Sequence, residues 1–404
     1  MKVNVISIFF PPEKGAASGR IFNMAKELQI RGCDVQVITG FPNYPTGRVY
    51  EGYGGVRKDE VVDGIKVRRH WLYPSNSKNP VLRILSMTSF SLSIFLSVFF
   101  LRKRNAEVTI INSPPLFTGY FGVILARIIG GKIVTNISDI WPLSALELGA
   151  IKKGILYSLF ESMEKSIYRR ADLCVSQSEE TASHIKEIVP ERRVVLYRNL
   201  SKVQGEHGAA IDNSPAKPFK IVYAGLLGVA QGIYRIIQNV DFVKLNVELH
   251  IYGEGNEASK IIEYLKLKPE SNIVYHGLKS PKELGLIFPT FHASLIPLVN
   301  PIYGAFPSKI FGAMSSGVPI LFSGEGEGAK FVSDYEIGFV NSSTDLKQLE
   351  SNIEKLRNLP TAAYIAIRER SRELMLSEFS FEKNQDNLHK SITDLVSGEL
   401  NHIE

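Results

Sequence analysis

The 404-residue chain has only two cysteines, Cys33 and Cys174, too few for a disulfide framework or a four-cysteine metal site. Its eight histidines show no H-x-x-x-H spacing, and no Asp-x-Asp pair offers two carboxylates to a divalent ion. The sequence also lacks the G-x-S-x-G and P-loop motifs that serine hydrolases and many NTPases need. We therefore expect no metal and no resident cofactor.

The N-terminus, MKVNVISIFFPPEKG, lacks the features of a secretory signal, because its apolar run is short and leads into Pro-Pro without a small-residue cleavage site. Few cysteines and no signal together predict a reducing, cytoplasmic location. The composition, 44% hydrophobic and 22% charged, is that of a globular protein. The length favours two domains, since a single core stops growing beyond roughly 250–300 residues.

Charge is distributed unevenly along the chain. Residues 1–200 carry 27 basic and 17 acidic residues, a balance of +10, whereas the remainder carries 20 basic and 24 acidic residues, a balance of −4. Such asymmetry indicates an anionic partner: nucleic acid, lipid headgroups or a phosphorylated substrate. Because the basic residues are not interleaved with aromatics along one element, nucleic acid is the least favoured of the three.

One segment favours a membrane. Residues 84–101 contain no charge and are flanked by Arg83 and by Arg102, Lys103 and Arg104. As a helix the segment would be about 27 Å long, close to a bilayer core. Strand-like runs precede and follow it, however, and a single crossing would separate two strands of one sheet. Two interpretations remain open: a helix that docks on its domain and dips an apolar face into the bilayer surface, or a buried core helix.

Alternating strand and helix patterns predict two doubly wound α/β domains that face a cleft. The predicted strands are 3–9, 34–39, 65–71, 107–112, 132–136, 172–176, 193–197, 220–223, 247–252, 272–276, 293–297 and 319–322. The principal predicted helices are 19–31, 117–129, 152–170, 178–188, 345–357 and a terminal stretch, 361–398. A polar, Gly- and Pro-containing segment divides the chain into an N-terminal domain (1–200), a linker (201–218), a C-terminal domain (219–375) and a C-terminal helix (376–404).

Three loops follow predicted strands and contain residues suited to an anion. Residues 11–19 are rich in small residues before a helix, 252–258 read YGEGNEA, and 301–309 end in Pro-Ser-Lys at a helix start. Taken singly, each is equally an ordinary turn or a capped helix. In doubly wound sheets, ligands bind beyond the carboxyl ends of the strands, where these loops lie.

Several strings, in order, carry a resemblance to a known family. They are FFPPEKGAASGR (9–20), TGFPNYPTGRVYEGY (39–53), SPPLFTGY (113–120), SDIWPLSALELGAI (138–151), VYAGLLGVAQG (222–232), YGEGNE (252–257) and PSKIFGAMSSGVPI (307–320). The chain resembles bacterial glycosyltransferases of family 4, which have the GT-B fold, and within them the WbuB-like or WcaI-like surface-polysaccharide enzymes.

The resemblance implies transfer of a sugar, with retention at the anomeric carbon and without a metal, from a nucleotide-sugar to an acceptor. The subgroup's acceptor is a polyprenyl-diphosphate-linked glycan at the cytoplasmic face of the membrane. The C-terminal domain would hold the nucleotide. By position, Asp139 and Lys309 would be catalytic, Asp139 near the reacting centre and Lys309 on the diphosphate. The implied donor-binding residues are Gly15, Ser18, Gly225, Gly232, Gly253, Glu254, Gly255, Ser308 and Lys309. Alternatively, Asp139 has only a structural role and caps the helix that follows it.

The sequence also departs from the family pattern. Leu226 and Gln231 stand where many members have Arg and Lys, and Gly304 and Gly312 stand where the broader family has two glutamates. Glu325 or Glu327 is a possible replacement carboxylate. Two further functions therefore stay open: a nucleotide-sugar epimerase on the same fold, and a degenerate, non-catalytic binding partner.

Overall fold

The computed structural model describes residues 1–13, 15–77, 79–200, 218–299 and 302–398, apart from the side chains at positions 80 and 83. The predicted linker therefore lies, except for its last residue, outside the described residues. The chain divides into two compact units. The first comprises Met1–Asn199, Tyr303–Ala305 and Asn384–Glu404, and the second comprises Leu200–Ile302 and Phe306–Lys383.

The first unit is built from alternating strands and helices. Its strands are β1 (Lys2–Ile6), β2 (Asp34–Gly40), β3 (Arg57–Val62), β4 (Ile65–His70), β5 (Val108–Ser113), β6 (Lys132–Ile137), β7 (Leu173–Ser176) and β8 (Val194–Leu196). Its helices are α1 (Ala16–Ile30), α2 (Pro80–Ser93), α3 (Val98–Arg104), α4 (Leu116–Ile129), α5 (Leu143–Glu147), α6 (Ile155–Arg170) and α7 (Glu179–Ile188).

The strands form one sheet in the order β3-β4-β2-β1-β5-β6-β7-β8. All neighbouring pairs are parallel except β3 with β4. The sequence patterns missed β3, RKDEVV, because it is a polar edge strand that alternates exposed and half-buried residues instead of forming an apolar run. Burial on both faces explains the continuous apolar runs of the central strands.

Side chains of opposite faces enter two apolar cores. Val3 and Val5 of β1 pack with α1 on one face, whereas Ile6 packs on the other face with helices that include α4 and α6. The terminal helix, residues Phe381–Ser397, joins the first of these cores through Leu388 and Ile392. The terminal helix thus contributes to the core of the first unit.

The apolar segment 84–101 is not one continuous helix. A 3-10 turn, Ile94–Ser97, separates α2 from α3. Serine hydroxyls on one side bond to the end of β4 and the residues after it: Ser97 Oγ lies 2.5 Å from His70 Nε2, Ser93 Oγ donates to the Trp71 carbonyl at 2.6 Å, and the Tyr73 amide donates to Ser89 Oγ at 2.8 Å. The serines therefore dock the segment on its own sheet.

The opposite side of this segment is exposed, most of all at Leu92, Leu96 and Phe99, whose exposed fraction reaches 80% at Phe99. By length and composition alone, Ile84–Arg104 could cross a membrane, with a mean hydropathy of 2.0 and 39% of the scored window buried. One face of the segment packs on its own unit and the other is uncovered, so the segment is not the fully buried core helix of the second interpretation.

The second unit repeats the architecture. Its strands are β9 (Phe219–Ala224), β10 (Val247–Tyr252), β11 (Ile273–Gly277), β12 (Ala293–Pro297), β13 (Ile320–Ser323) and β14 (Gly338–Asn341), all parallel, in the order β11-β10-β9-β12-β13-β14. Its helices are α8 (Ile233–Asn239), α9 (Ala258–Leu267), α10 (Pro281–Ile287), α11 (Lys309–Ser315), α12 (Glu327–Asp334), α13 (Leu346–Arg357) and α14 (Thr361–Ser377).

The sequence predicted a single helical stretch over 361–398, and this was wrong. The stretch breaks between α14 and the terminal helix α15 (Phe381–Ser397), where Phe379 enters the aromatic core of the second unit beside Phe311 and Phe331. A continuous helix would not allow Phe379 to pack in this core, so α14 ends before it. The predicted class, two Rossmann-like α/β domains with parallel sheets, is confirmed.

His70 makes the first unit acid-sensitive. Desolvation, reinforced by Arg68 and Arg57 and opposed by Asp59, lowers its pKa to about 4. The native state therefore binds fewer protons than the unfolded chain between pH 6.5 and 4, so stability is full above 6.5 and falls as the pH drops towards 4, by up to roughly 3 kcal/mol.

We expect H70Q, which does not titrate, to flatten this pH dependence. Both tryptophans, Trp71 and Trp141, lie in the first unit, so urea unfolding followed by their fluorescence at pH 7.5 and 4.5 reports on that unit. Equal pH slopes in the wild type and H70Q would contradict the assignment.

Candidate active site

Each sheet has a point where the strand order reverses, between β1 and β5 in the first unit and between β9 and β12 in the second. Loops beyond the carboxyl ends of the strands at such points form the ligand crevices of open α/β sheets. In the first unit the loop after β1 leads to Gly15 and Ser18. In the second unit the loops after β9 and β12 lead to Gly225 and Lys309.

The predicted glycines of the second unit lie against one another. Gly225 and Gly253 follow β9 and β10 with φ values of 148° and 141°, and a Cβ at Gly253 would overlap the Gly225 carbonyl. The Gly225 amide donates to the Tyr252 carbonyl at 2.9 Å, and the Leu227 amide donates to the Glu254 carbonyl at 2.9 Å. Gly255 packs on Leu227, and Gly232, which precedes α8, packs on Val299. These glycines permit close packing of the loops against one another.

Lys309 extends into this glycine loop. A Cβ at Gly225 would overlap the Lys309 Cε and Nζ atoms. Lys309 Nζ donates to the Tyr223 hydroxyl at 3.0 Å and lies 4.3 Å from the centre of the Tyr223 ring. Desolvation alone lowers the Lys309 pKa to about 8, and the described residues include no carboxylate in an ion pair with it. A desolvated ammonium without a counter-ion is suited to an anionic ligand.

Other polar groups surround Lys309 without neutralising it. Ser308 precedes α11, and its side chain makes no capping bond. The Tyr223 hydroxyl donates to the Leu226 carbonyl, and burial raises the Tyr223 pKa. The Leu226 side chain is 63% exposed, and the buried Gln231 Oε1 makes no hydrogen bond with any described residue. The positions of the family's Arg and Lys thus contribute no charge here.

The two missing glutamates have different structural explanations. Gly304 has φ 86°, and a Cβ there would meet Ile140 and Thr181 at 2.6–2.7 Å, so no side chain fits. The Gly304 amide donates to Glu180 at 2.7 Å, and its carbonyl accepts from the Ser178 hydroxyl at 2.7 Å. Gly312, by contrast, faces open space.

Glu325 is already occupied by other bonds. Its carboxylate accepts from the Ser342 hydroxyl at 2.6 Å and from the Ser343 amide at 3.2 Å. These bonds tie the loop after β13 to the loop after β14. Glu325 therefore has a structural role and is not a free carboxylate that could replace the family's glutamates.

In the first unit, Asp139 follows β6. Its Oδ2 accepts from the Ser144 hydroxyl at 3.1 Å, whereas its Oδ1 is buried and has no hydrogen-bond partner among the described residues. Desolvation raises the Asp139 pKa, although Ser144 and Arg20 oppose the shift. Helix α5 has Pro142 at its N-cap and no side-chain capping bond, so Asp139 does not cap this helix.

Sequence reasoning missed Arg20 and Gln177. Arg20 Nη1 donates to Gln177 Oε1 at 2.6 Å, and Arg20 and Asp139 attract one another electrostatically without forming an ion pair. Arg20 ends the quoted string FFPPEKGAASGR, but only the fold brings it to Gln177, 157 positions away.

Glu13 joins the two N-terminal signature strings. Its buried Oε1 accepts from the Asn43 and Tyr44 amides at 2.7 and 2.9 Å. Desolvation raises the Glu13 pKa, and these amide bonds oppose the shift. Gly15 lies under the Tyr44 ring, where a Cβ would be 3.3 Å from Cε1. The buried Ser18 hydroxyl has no hydrogen-bond partner in the described part of the chain.

The predicted basic cluster is only partly available to a ligand. Arg102 and Lys103 are exposed at the end of α3. The Arg104 guanidinium instead pairs with Asp34 at 3.3 Å and is 9% exposed, so it belongs to the fold of the first unit. Arg83 lies in α2, and its side chain is outside the described residues. Across the described ranges, no group of three or more His, Cys, Asp or Glu side chains is arranged to hold a metal.

Comparisons with known proteins agree with this architecture. Two family models match: the glycosyl transferase 4-like domain over residues 15–199 and glycosyl transferases group 1 over residues 209–374. Together they span most of the chain. Two parallel α/β units with crevice loops of this kind define the class of GT-B glycosyltransferases. The chain belongs to glycosyltransferase family 4, as its sequence strings predicted.

One curated relative is an Escherichia coli (strain K12) protein named as the colanic acid biosynthesis glycosyl transferase WcaI, 24% identical over 340 residues that cover 80% of this chain and 84% of the relative. Solved structures share the fold. Sucrose-phosphate synthase from Thermosynechococcus elongatus has a TM-score of 0.74 at 15% identity, over 98% of this chain and 99% of that one.

Two further structures are similar at low identity. Anabaena Alr3699/HepE, solved with UDP, has a TM-score of 0.70 at 13% identity, over 98% of this chain and 100% of that one. WaaG, a glycosyltransferase of lipopolysaccharide biosynthesis, has a TM-score of 0.62 at 15% identity, over 97% and 99%. At such identities these likenesses show the fold alone.

Lys309 provides a test of the anion site. We expect K309M to weaken UDP binding on the order of tenfold to a hundredfold, because a charge-assisted hydrogen bond is lost. The same change removes an unpaired, desolvated charge, so the melting temperature should not fall. Wild-type affinity should decline as the pH rises above about 8, where Lys309 loses its proton, and K309R should retain affinity at higher pH.

Calorimetric titration with UDP between pH 6.5 and 9.5 measures the effects on affinity, and thermal unfolding of the free proteins measures the melting temperature. K347M, at an exposed lysine of α13, is the matched control. Unchanged UDP affinity in K309M would remove the proposed role.

Proposed function

We propose that this chain is a retaining glycosyltransferase. It moves a sugar, N-acetylated or deoxy, from a UDP-sugar to a polyprenyl-diphosphate-linked glycan in the biosynthesis of a surface polysaccharide such as O-antigen, capsule or exopolysaccharide. The observation that supports this most directly is the desolvated Lys309 ammonium beside the glycine loop, which has a sign of charge suited to a diphosphate. The names of the WcaI and WaaG relatives agree with a role in polysaccharide assembly.

The second unit would bind the donor. When the glycosidic bond to the nucleotide breaks, its electron pair leaves with the diphosphate. Lys309 would stabilise this developing charge, so the proposal requires no metal ion. Ser308, which makes no capping bond, supplies a further donor. In such a site the donors are fixed before the reaction and need no reorganisation.

The first unit would bind the acceptor. The acceptor oxygen forms the new glycosidic bond on the face from which the diphosphate departs, and its proton passes to the departing diphosphate oxygen. Asp139 would orient the acceptor hydroxyl or stabilise positive charge that develops on the sugar. Its desolvation and its buried Oδ1, which has no hydrogen-bond partner among the described residues, make it a candidate for this role.

A lipid-linked acceptor requires a membrane nearby, and the first unit has a surface suited to it. The exposed side chains of Leu92, Leu96 and Phe99 lie on the uncovered face of α2, the 3-10 turn and α3, next to Arg102 and Lys103. Apolar side chains with adjacent cations are typical of peripheral binding to anionic lipid. We propose that the protein is peripheral on the cytoplasmic face of the cell membrane.

The activity test is a screen of UDP-, GDP- and dTDP-sugars against the purified protein with membrane extract. We expect a lipid-soluble product that carries the sugar, formed only when donor and extract are both present, and at least about a hundredfold slower formation with D139N. Isomerised donor without extract would indicate the epimerase instead. Binding of no nucleotide sugar would indicate the non-catalytic partner.

The membrane face has its own test. L96S/F99S should release the protein from vesicles of phosphatidylglycerol and phosphatidylethanolamine, since about 2–4 kcal/mol of apolar contact is lost. L267S, at a leucine of the second unit that is 76% exposed, is the control and should bind as the wild type. Equal sedimentation of all three proteins with vesicles would contradict the proposed surface.

A further inference from the structure

Arg20, Gln177 and Asp139 form an incomplete polar cluster in the first unit. Arg20 lies in the second turn of α1, Gln177 directly follows β7, and Asp139 follows the neighbouring strand β6. All three side chains are half-buried. Burial lowers the pKa of Arg20, and attraction to Asp139 opposes that shift.

The two charges attract but do not touch. Arg20 Nη1 bonds to the neutral amide oxygen of Gln177 at 2.6 Å, and its other nitrogens donate to no described residue. Asp139 accepts a single side-chain hydrogen bond, from the small hydroxyl of Ser144. A half-buried guanidinium and a half-buried carboxylate normally satisfy one another directly, because leaving both incompletely bonded costs free energy.

A hydroxyl group suits such a pair better than an anion does. It accepts a hydrogen bond from a guanidinium and donates one to a carboxylate, so it completes both groups at once. A phosphate could bond to Arg20 but would be repelled by Asp139. The chemistry of this cluster therefore matches the vicinal hydroxyls of a sugar.

We infer that Arg20, with Gln177 holding its guanidinium and Asp139 opposite, forms a binding subsite for the hydroxyls of the acceptor's terminal sugar. This inference rests on the proposed function and assigns Arg20 and Gln177, which neither the sequence strings nor the comparisons single out. The diphosphate and the lipid of the acceptor must then be bound by other residues.

The test compares probes with and without a sugar. The probes are geranyl diphosphate and geranyl diphosphates linked to N-acetylglucosamine, glucose or galactose, with binding followed by fluorescence of Trp141, two residues after Asp139. The wild type should prefer at least one sugar-bearing probe over the bare diphosphate. R20M should abolish that preference, on the order of a tenfold to hundredfold loss, and leave bare-diphosphate binding unchanged.

Three further variants keep the test decisive. R31M alters an arginine on the same helix that pairs with Glu27 and Asp386, so it should lower stability without changing sugar preference. Q177L frees the guanidinium and should reduce the preference even if R20M fails to fold. R20K, which retains charge without the planar fork, should recover part of it.

The outcomes distinguish the proposed sugar subsite from the proposed transferase function. An equal loss of both probe types in R20M would place Arg20 on the diphosphate and overturn the subsite, as would a wild type without sugar preference. If UDP binding at Lys309 is intact in either case, the proposed transferase function stands. Failure to bind any nucleotide would contradict that function independently of the subsite.

Discussion

The candidate site of the second unit depends on one positive charge that is held out of water with no negative charge beside it in the described part of the chain. Lys309 meets a phenol, an aromatic face and glycine backbone, and desolvation lowers its pKa to about 8. Such an ammonium is costly in the free protein, and either loss of its proton or a bound anion removes the cost. The glycines at positions 225 and 253 serve the same end, because any side chain at either would overlap the lysine or the neighbouring loop.

Under the proposed function, this constraint would explain how the site can bind a diphosphate without the family's charged residues. With Leu226 and Gln231 in place of Arg and Lys, two cations are absent, and a third cation that was fully solvated would bind phosphate weakly. Desolvation compensates, since an ion pair strengthens as the local dielectric constant falls. The two positions that lack the family's glutamates also differ in the space around them. Neighbouring side chains leave no room for a side chain at Gly304, whereas the space around Gly312 is open.

Local sequence patterns predicted most strands, because apolar runs bounded by glycine and proline persist in the buried sheet centres. They failed at β3, where the edge strand is polar, and at β14, a four-residue edge strand that is mostly half-buried. They also failed at the boundary between α14 and α15, where the aromatic core of the second unit determines the break. The same limit applies to the site. Glycine loops and a lysine at a helix start are local features, whereas Glu13 reaches Asn43 and Arg20 reaches Gln177 only through strand order. No spacing in the sequence encodes that order.

The segment 84–101 shows why composition alone could not decide between membrane and core. Its serines, which lower its hydropathy, are the residues that hold it to the end of β4, through Ser89, Ser93 and Ser97. Its leucines and Phe99 are left uncovered by that docking. Because the same sheet that anchors this segment also positions Asp139, the proposed membrane surface and the proposed acceptor-binding carboxylate would belong to one unit. An enzyme that draws a lipid-linked substrate from a bilayer needs that fixed relation, since the substrate's lipid end and its sugar end are joined by only a few bonds.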